Sequence, residues 1–482
     1  MDFNQVRRLV RSCLPAGLAM SLALTGCGSI AGGLQANGAG SLAARAAAKP
    51  WGYMHLVAHD NALGVTTAFQ DVYEQARGLP NVAPVAFMDD PGADGGFRVS
   101  IGAPGQLAKD KVPEFDSASP KAVSDLLMFS SQHHPAQRRI LAISGHGGGV
   151  LRGLLADENG SQSKVLPASQ LTSALRTQPV DILFMDACFM QTVEVVFDLQ
   201  GAAEVVIGSE SESYVNPAAH LTMLKQLQEI SATVPADAAA TRMVQAAGGS
   251  VMPDGTLSAV RARRLNTMIS GLAKLSNDLA FAVRSNPTLK ANIRRAVANS
   301  QGFMGATDPR LAAYNSYRDL GDLLANIGSA AGGDIQKQVW TLLDDYNRNV
   351  IAFRAQGGKY GRSTGLAIYA PAGGEVSLAY SQTAFASYTR WADFLSALNA
   401  NTPWHNPVVA DRFPGAFHSR SKLNATVVGQ AAVYEVPNLP LPSGGYPGAP
   451  GYGTTPGYPS NPDYPGTAPG YPAPGYPQPP RY

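Results

Sequence analysis

An α/β sandwich built on a mainly parallel sheet, with a helical C-terminal addition, is the fold class this sequence predicts. Three observations point to it. Short, continuous apolar runs of strand length alternate with helix-length segments over about residues 51–230, the pattern of a sheet covered on both faces. Beyond residue 230 the apolar period becomes that of helices, with one strand-like return near 365–369. Hydrophobic residues make up 45% of the 482-residue chain, enough to bury a sizeable core.

The chain opens with a segment that does not belong to that core. Arg7, Arg8 and Arg11 precede a small and apolar stretch from Ala16 to Leu24, and Leu24-Thr25-Gly26-Cys27 closes it. A basic start, a brief apolar run and a small-residue junction in this order make a secretory signal rather than a core helix. The junction resembles the bacterial lipoprotein pattern, in which Cys27 would be acylated and become the first residue of the mature chain. Gly28, not an acidic residue, follows it, which in that pattern resembles an outer-membrane address. The expected place is therefore the bacterial cell envelope, with a lipid at Cys27 as membrane anchor.

Residues 27–49, rich in Gly, Ala and Ser, read as a flexible tether. Strand-length runs at 51–58, 86–88, 140–144, 180–185 and 203–208 alternate with expected helices at 66–77, 121–132, 168–176 and 189–199. Asp89-Asp90-Pro91-Gly92 is turn-rich. These place an α/β catalytic domain over 50–230. Expected helices at 237–247, 266–284, 311–327, 334–354 and 385–398, with the strand at 365–369, form a helical region over 231–400 that returns to the sheet and is part of the same unit. A C-terminal extension occupies 401–441. In 442–482 Gly-Tyr-Pro recurs four times with Asp463 and Arg481 as the only charges, a composition that cannot fill a core and reads as a disordered spacer.

Charge excludes one class of partner. The formal net charge is +2, and the signal segment removes three Arg and one Asp, so the mature chain is neutral; nucleic-acid binding has no electrostatic support. Cysteine usage is more informative. Cys13 leaves with the signal segment and Cys27 goes to lipid, so Cys188 stands alone and no internal disulfide framework exists. A solitary thiol in an exported protein is either a buried small hydrophobe or a working nucleophile.

Two motifs decide between these. Ile140-Leu141-Ala142-Ile143-Ser144 runs into Gly145-His146-Gly147-Gly148-Gly149, where residues without side chains let a ligand approach the backbone. Val180-Asp181-Ile182-Leu183-Phe184-Met185 runs into Asp186-Ala187-Cys188. Open parallel sheets bind ligands at the carboxyl ends of their strands, so adjacent strands would bring His146 and Cys188 to one rim. A helix expected directly after Cys188 would place the sulfur at a helix N-terminus and favour thiolate. Alone, a histidine in a glycine loop is commonly an ordinary loop residue; with Cys188 it makes a thiol–imidazole pair. His55, His59, His133, His134, His220, His405 and His418 include no His-Glu-x-x-His, which removes zinc hydrolysis, and no metal site is assigned.

His-Gly after one strand and Asp-Ala-Cys after the next resemble the clostripain-like peptidases, relatives of gingipains, legumains and caspases. Trp51-Gly52-Tyr53-Met54 with Asp60-Asn61, Phe184 to Met190 with Glu194, Ser209-Glu210, Tyr317-Arg318-Asp319-Leu320, Gly365 to Pro371 and Trp391 to Leu395 resemble further signatures of that family in order, so the likeness spans about 51–398. It implies a caspase-like sandwich and a cysteine endopeptidase acting on peptides or proteins. Cys188 would attack the scissile carbonyl and His146 would give a proton to the leaving amine. Backbone amides at Gly147 and Cys188 would hold the oxyanion.

The resemblance also implies cleavage after Arg or Lys, which needs an acidic partner. Asp186 matches the motif, although a carboxylate there could equally cap the helix expected after Cys188. Glu210, and Glu212 beside it, could line the same pocket, with Ser211, Ser213 and Asn216 departing from the family pattern. Activation by internal cleavage would use Lys164, which reads as plainly as a solvated side chain. No cofactor is assigned; calcium enters by the resemblance only, since no Asp-rich loop has EF-hand spacing and Asp89-Asp90 with Asp94 reads as a turn. Two other functions fit the sequence: a non-catalytic envelope-binding lipoprotein on the same scaffold, and a transpeptidase that passes the acyl group to an amine.

Overall fold

The computed structural model describes residues 48–58, 66–90, 95–102, 105–155, 157, 165–213, 215–248, 255–303, 316–374 and 376–399. The signal segment, Cys27, the expected tether up to residue 47, Asp60, Asn61, Asp94, Lys164 and everything from residue 400 onward lie outside the described residues; the last tether position, Lys49, already belongs to the first strand.

In chain order the strands are β1 (Lys49–Ala58), β2 (Val82–Asp89), β3 (Phe97–Ile101), β4 (Leu107–Lys111), β5 (Ala136–Ser144), β6 (Val180–Asp186), β7 (Ala203–Gly208), β8 (Thr256–Arg261), β9 (Tyr317–Asp319), β10 (Ile351–Gln356) and β11 (Ala367–Tyr369). Nine of them make one sheet in the order β10-β8-β7-β6-β5-β1-β2-β3-β4. Its centre, β7-β6-β5-β1-β2, is parallel, and both flanks are antiparallel. The strands expected at 51–58, 140–144, 180–185 and 203–208 are therefore central and buried on both faces, which is why they read as unbroken apolar runs.

Alternation along those strands divides the core. Leu141, Ile143, Leu183 and Met185 face one layer, with helices Pro120–His133 and Ala168–Leu175 and, from the C-terminal half, Leu265–Ser285, Leu320–Ala331 and Trp391–Asn399. Ile140, Ala142, Ile182 and Phe184 face the other, with helices Thr66–Ala76, Pro217–Gln228 and Ala236–Gly248. The result is a mainly parallel αβα sandwich whose C-terminal helices extend one layer. Trp391 is fully buried there and its indole N–H donates to the Tyr369 carbonyl at 2.9 Å. Among the described residues no helix is long and apolar enough to cross a membrane.

Several expectations need correction: among them, the helix expected over 311–327 begins only at Leu320, after β9, and that over 385–398 is broken at Arg390 into Ala384–Thr389 and Trp391–Asn399. The helix expected over 334–354 ends as Gly333–Asp345; a π-turn at Tyr346–Val350 comes next, and 351–356 is the edge strand β10. A register shift lies between Ile351 and Phe353, so Ile351 packs into one layer and Phe353 against the other. The bulge hides the period-2 signal of a strand. The strand near 365–369 is β11, which pairs with β9 in a separate two-stranded sheet; β8 and β10 are the strands that return to the main sheet. The helix expected over 189–199 is Val193–Asp198, capped by Thr192, whose Oγ1 accepts from Val195 N at 3.3 Å.

That short helix carries a buried acid with a stability consequence. Glu194 Oε1 accepts from Tyr369 N at 2.8 Å and Tyr380 OH at 3.0 Å, and burial pushes its pKa to about 7. The folded state then keeps the proton up to about pH 7, whereas the unfolded chain releases it near the ordinary value of about 4.3. The contribution is present below that value and is lost as pH rises to about 7, a loss of roughly 4 kcal/mol. Glu194→Gln is expected to flatten the fall in urea-unfolding stability between pH 5 and pH 8. The remaining slope includes Asp198 and Asp322, both raised to about 6 by burial, and the buried pair Glu210 and Asp319, both also raised by burial. An unchanged slope in the variant would assign the proton elsewhere.

Candidate active site

β5 and β6 are parallel and paired up to Ser144 opposite Asp186. His146 and Cys188 each lie two residues beyond that last pair, so register alone brings their loops to the same rim. Gly145 N donates to the Asp186 carbonyl at 3.3 Å, carrying the pairing one step further. Gly147 then lies directly on the cysteine: a Cβ there would sit 2.3 Å from the Cys188 carbonyl oxygen and 2.9 Å from Cys188 N. The glycine is required by this approach of two backbones. Gly147 N–H has no acceptor among the described residues.

The histidine loop folds back on itself through Leu155 N to the His146 carbonyl (2.8 Å) and Gly148 N to the Gly153 carbonyl (3.0 Å). His146 is buried and Cys188 half-buried. Tyr317 ties the two loops together: its hydroxyl donates to the Gly148 carbonyl at 3.2 Å, and its ring stacks on Phe189 with centroids 6.2 Å apart. Gly149, at φ +67°, lets the tyrosine oxygen approach. The Tyr-Arg-Asp-Leu stretch was visible in the sequence only as a resemblance; its buttressing role was not.

The surroundings of Cys188 differ from the expectation. No helix starts beside it, since Phe189 has φ +59° and the next helix begins at Val193, so the sulfur does not sit at that helix's N-terminus and Asp186 does not cap it. Instead the 189–191 segment pairs with the loop after β7 through Phe189 N to Ser211 O and Gln191 N to Ser209 O, both 3.0 Å. The sulfur meets the Ser213 backbone on both sides: Sγ lies 3.2 Å from the carbonyl oxygen and receives Ser213 N–H at 3.3 Å. A thiol can donate to the carbonyl and a thiolate can accept from the amide, so one residue serves both protonation states.

The two acids expected at the site have different surroundings. Asp186 is buried, and three donors converge on its Oδ2: His220 Nε2 at 2.9 Å, Ser144 Oγ at 3.2 Å and Asn216 N at 3.3 Å. Its Oδ1 accepts no hydrogen bond among the described residues. Glu210 is also buried but lies against Asp319 inside the molecule. Burial first, then the Asp319 charge and their shared hydrogen bond, hold the Glu210 carboxyl well above the usual range. Asp319 accepts from Thr364 Oγ1 and Asp322 N, both at 2.7 Å, so Glu210 is the proton donor of the pair. This departs from the expectation that Glu210 lines a substrate pocket. Glu212, two residues along the chain, is half-buried.

Asp89, Glu114 and Asp157 bring one carboxylate oxygen each within 4.8 Å of one another. Asp89, expected in a turn, ends β2 and is fully buried, and Glu114 and Asp157 were not singled out in the sequence because chain separation hides the cluster. Burial and then Asp157 raise the Glu114 pKa, and Asp157 also accepts from Ser117 N at 2.8 Å. The donor set is oxygen only, which fits a hard cation such as calcium, and these are the residues that would hold one.

The sheet order, the covering helices and the rim at β5 and β6 define a caspase-like cysteine peptidase fold. The profile of the clostripain family matches residues 59–410, and the chain belongs to that family of cysteine peptidases. Its fold is similar to that of a secreted C11 cysteine protease from Bacteroides thetaiotaomicron solved in complex with an irreversible peptide inhibitor. That likeness has a TM-score of 0.53 at 15% identity over 71% of this chain and 99% of that one. It is also similar to an inactive zymogen C11 protease from Parabacteroides distasonis, with a TM-score of 0.52 at 18% identity over 71% of this chain and 98% of that one. No curated protein matches the chain.

Proposed function

We propose that this chain is a cysteine endopeptidase that uses Cys188 as nucleophile and His146 as acid/base, and that it cleaves after Arg or Lys. The observation that carries the reading is the contact of Gly147 with the Cys188 backbone, which holds the two loops together at matched strand ends. The Cys188 thiolate adds to the scissile carbonyl carbon. The oxyanion that forms accepts from the backbone N–H groups of Gly147 and Cys188, the first of which has no protein acceptor among the described residues. Collapse breaks the C–N bond, His146 gives its proton to the leaving amine, and a thioester remains. Water, deprotonated by His146, hydrolyses the thioester and restores the thiolate.

Asp186 is the acid proposed to meet a cationic side chain, two residues before the nucleophile and with Oδ1 unspent. Glu210, holding a proton against Asp319, would act by shaping the loop that meets Cys188 rather than by touching substrate. Export and acylation at Cys27, with outer-membrane placement, are part of the proposal and rest on the N-terminal sequence. The test is a panel of peptides that differ only in the residue before the scissile bond. Arg and Lys peptides are expected to be cleaved with kcat/KM at least about 100-fold above neutral isosteres, as for a charge meeting a buried partner. Equal cleavage of citrulline and Arg peptides would remove Asp186 from recognition and leave the peptidase chemistry standing. Transfer of the acyl group to an added amine in preference to water would assign a transpeptidase.

A further inference from the structure

We infer that His220 is a specificity-positioning residue, which with Ser144 anchors Asp186 through Oδ2 and leaves Oδ1 as the atom that meets a cationic substrate side chain. The inference deepens the proposed Arg/Lys preference and rests on it.

The hydrogen-bond directions around Asp186 close without a conflict. His220 Nε2–H donates to Asp186 Oδ2 at 2.9 Å, and its Nδ1 then accepts from the Tyr53 hydroxyl at 2.7 Å. The Ser144 hydroxyl donates to the same Oδ2 at 3.2 Å and accepts from His55 Nε2–H at 2.8 Å. His55 Nδ1 accepts from the Tyr73 hydroxyl at 2.9 Å. Burial holds both tyrosines well above their ordinary pKa, so both remain donors. These directions place a hydrogen on Nε2 of both histidines, aimed at Asp186 Oδ2 from His220 and at the Ser144 hydroxyl from His55.

Packing prevents His220 from leaving this arrangement. It is fully buried, stacks on His55 with centroids 4.4 Å apart and an interplanar angle of 17°, and meets Phe69 edge-on at 5.1 Å and Phe184 at 4.9 Å. Its helix, Pro217–Gln228, begins at Asn216, whose backbone N–H is the third donor to Oδ2. Every hydrogen bond to the Asp186 carboxylate therefore falls on one oxygen. A carboxylate held at one oxygen by three fixed donors cannot swing, and the second oxygen has a set direction toward whatever cation enters.

The test uses the full-length protein and three peptides ending in Arg, Lys or the neutral isostere citrulline before the scissile bond. His220→Leu removes the donor and His220→Gln returns an N–H at the position of Nε2. In His220→Leu the KM for the Arg peptide is expected to rise by about tenfold or more, the scale of losing a hydrogen bond to a buried charge, with kcat within about threefold. The citrulline peptide and the rate of Cys188 alkylation by iodoacetamide should not change, and His220→Gln should recover most of the Arg preference. Ser144→Ala, a smaller change at the same oxygen, should move KM in the same direction and supports the inference should His220→Leu fail to fold. Equal losses for Arg and citrulline peptides, an altered alkylation rate or an unchanged Arg preference would overturn it. If the unmodified protein itself does not distinguish Arg from citrulline, the Arg/Lys preference fails first, and this inference falls with it.

Discussion

Cys188→Ala is expected to abolish peptide hydrolysis, and His146→Ala to lower it by about 10²–10⁴-fold, the usual worth of a positioned acid/base. The two losses should differ in kind. Without the sulfur no thioester forms, and no substrate avoids that step. Without the imidazole the thiolate can still attack, since Ser213 N–H donates to the sulfur at 3.3 Å, but the leaving amine receives no proton. An ester with a good leaving group does not need that proton, so His146→Ala should impair ester hydrolysis far less than amide hydrolysis. Parallel assays on an Arg amide and the matching nitrophenyl ester read this directly. Equal losses on both would mean that His146 serves the attack and not the departure. Cys188→Ala should leave the melting temperature close to that of the parent chain, because the half-buried side chain sits at the edge of the core and loses a single sulfur atom.

The rim of the site was legible because its two residues follow two strands that end in unbroken apolar runs, and parallel register brings such ends together. His146 and Cys188 are placed by β5 and β6, and the glycine after the histidine by the contact it must allow. The conformation of the segment after Cys188 was not legible. Phe189-Met190-Gln191 is as apolar as the first turn of a buried helix, and the left-handed turn at Phe189 together with pairing to Ser209, Ser211 and Ala367 keeps it out of one. The thiol's environment is hidden for the same reason: a neighbouring loop stands where the sequence predicts a helix terminus.

The acids obeyed the same rule. Asp186 could be picked from its spacing to Cys188, but its anchoring by His220 and Ser144 depends on a helix more than thirty residues later and a strand more than forty earlier. Glu210 looked similar in sequence, yet its partner Asp319 lies on β9, in a segment whose apolar content suggested helix. Separations of this size leave no periodicity to read. β10 is the remaining case, where a bulge between Ile351 and Phe353 disguised an edge strand as a helix end.

Gly147→Ala is the second large effect, and it tests the geometry instead of the chemistry. The added methyl would meet the Cys188 carbonyl oxygen at 2.3 Å, Cys188 N at 2.9 Å and the Ala187 methyl at 2.9 Å. Two of the three are backbone atoms that cannot rotate away, so the histidine and cysteine loops must separate. The separation moves the proposed oxyanion donors and the imidazole relative to the sulfur, and misplacement on the order of 1 Å costs about 100-fold in rate. Overpacking of this kind also costs about 1–3 kcal/mol of stability. We expect kcat/KM on an Arg peptide to fall at least about 100-fold. Gly358→Ala, where an added methyl meets nothing within 4 Å, should be neutral in both activity and melting temperature. A Gly147→Ala protein with near-normal turnover would mean that the two loops work apart, and that their contact is packing alone.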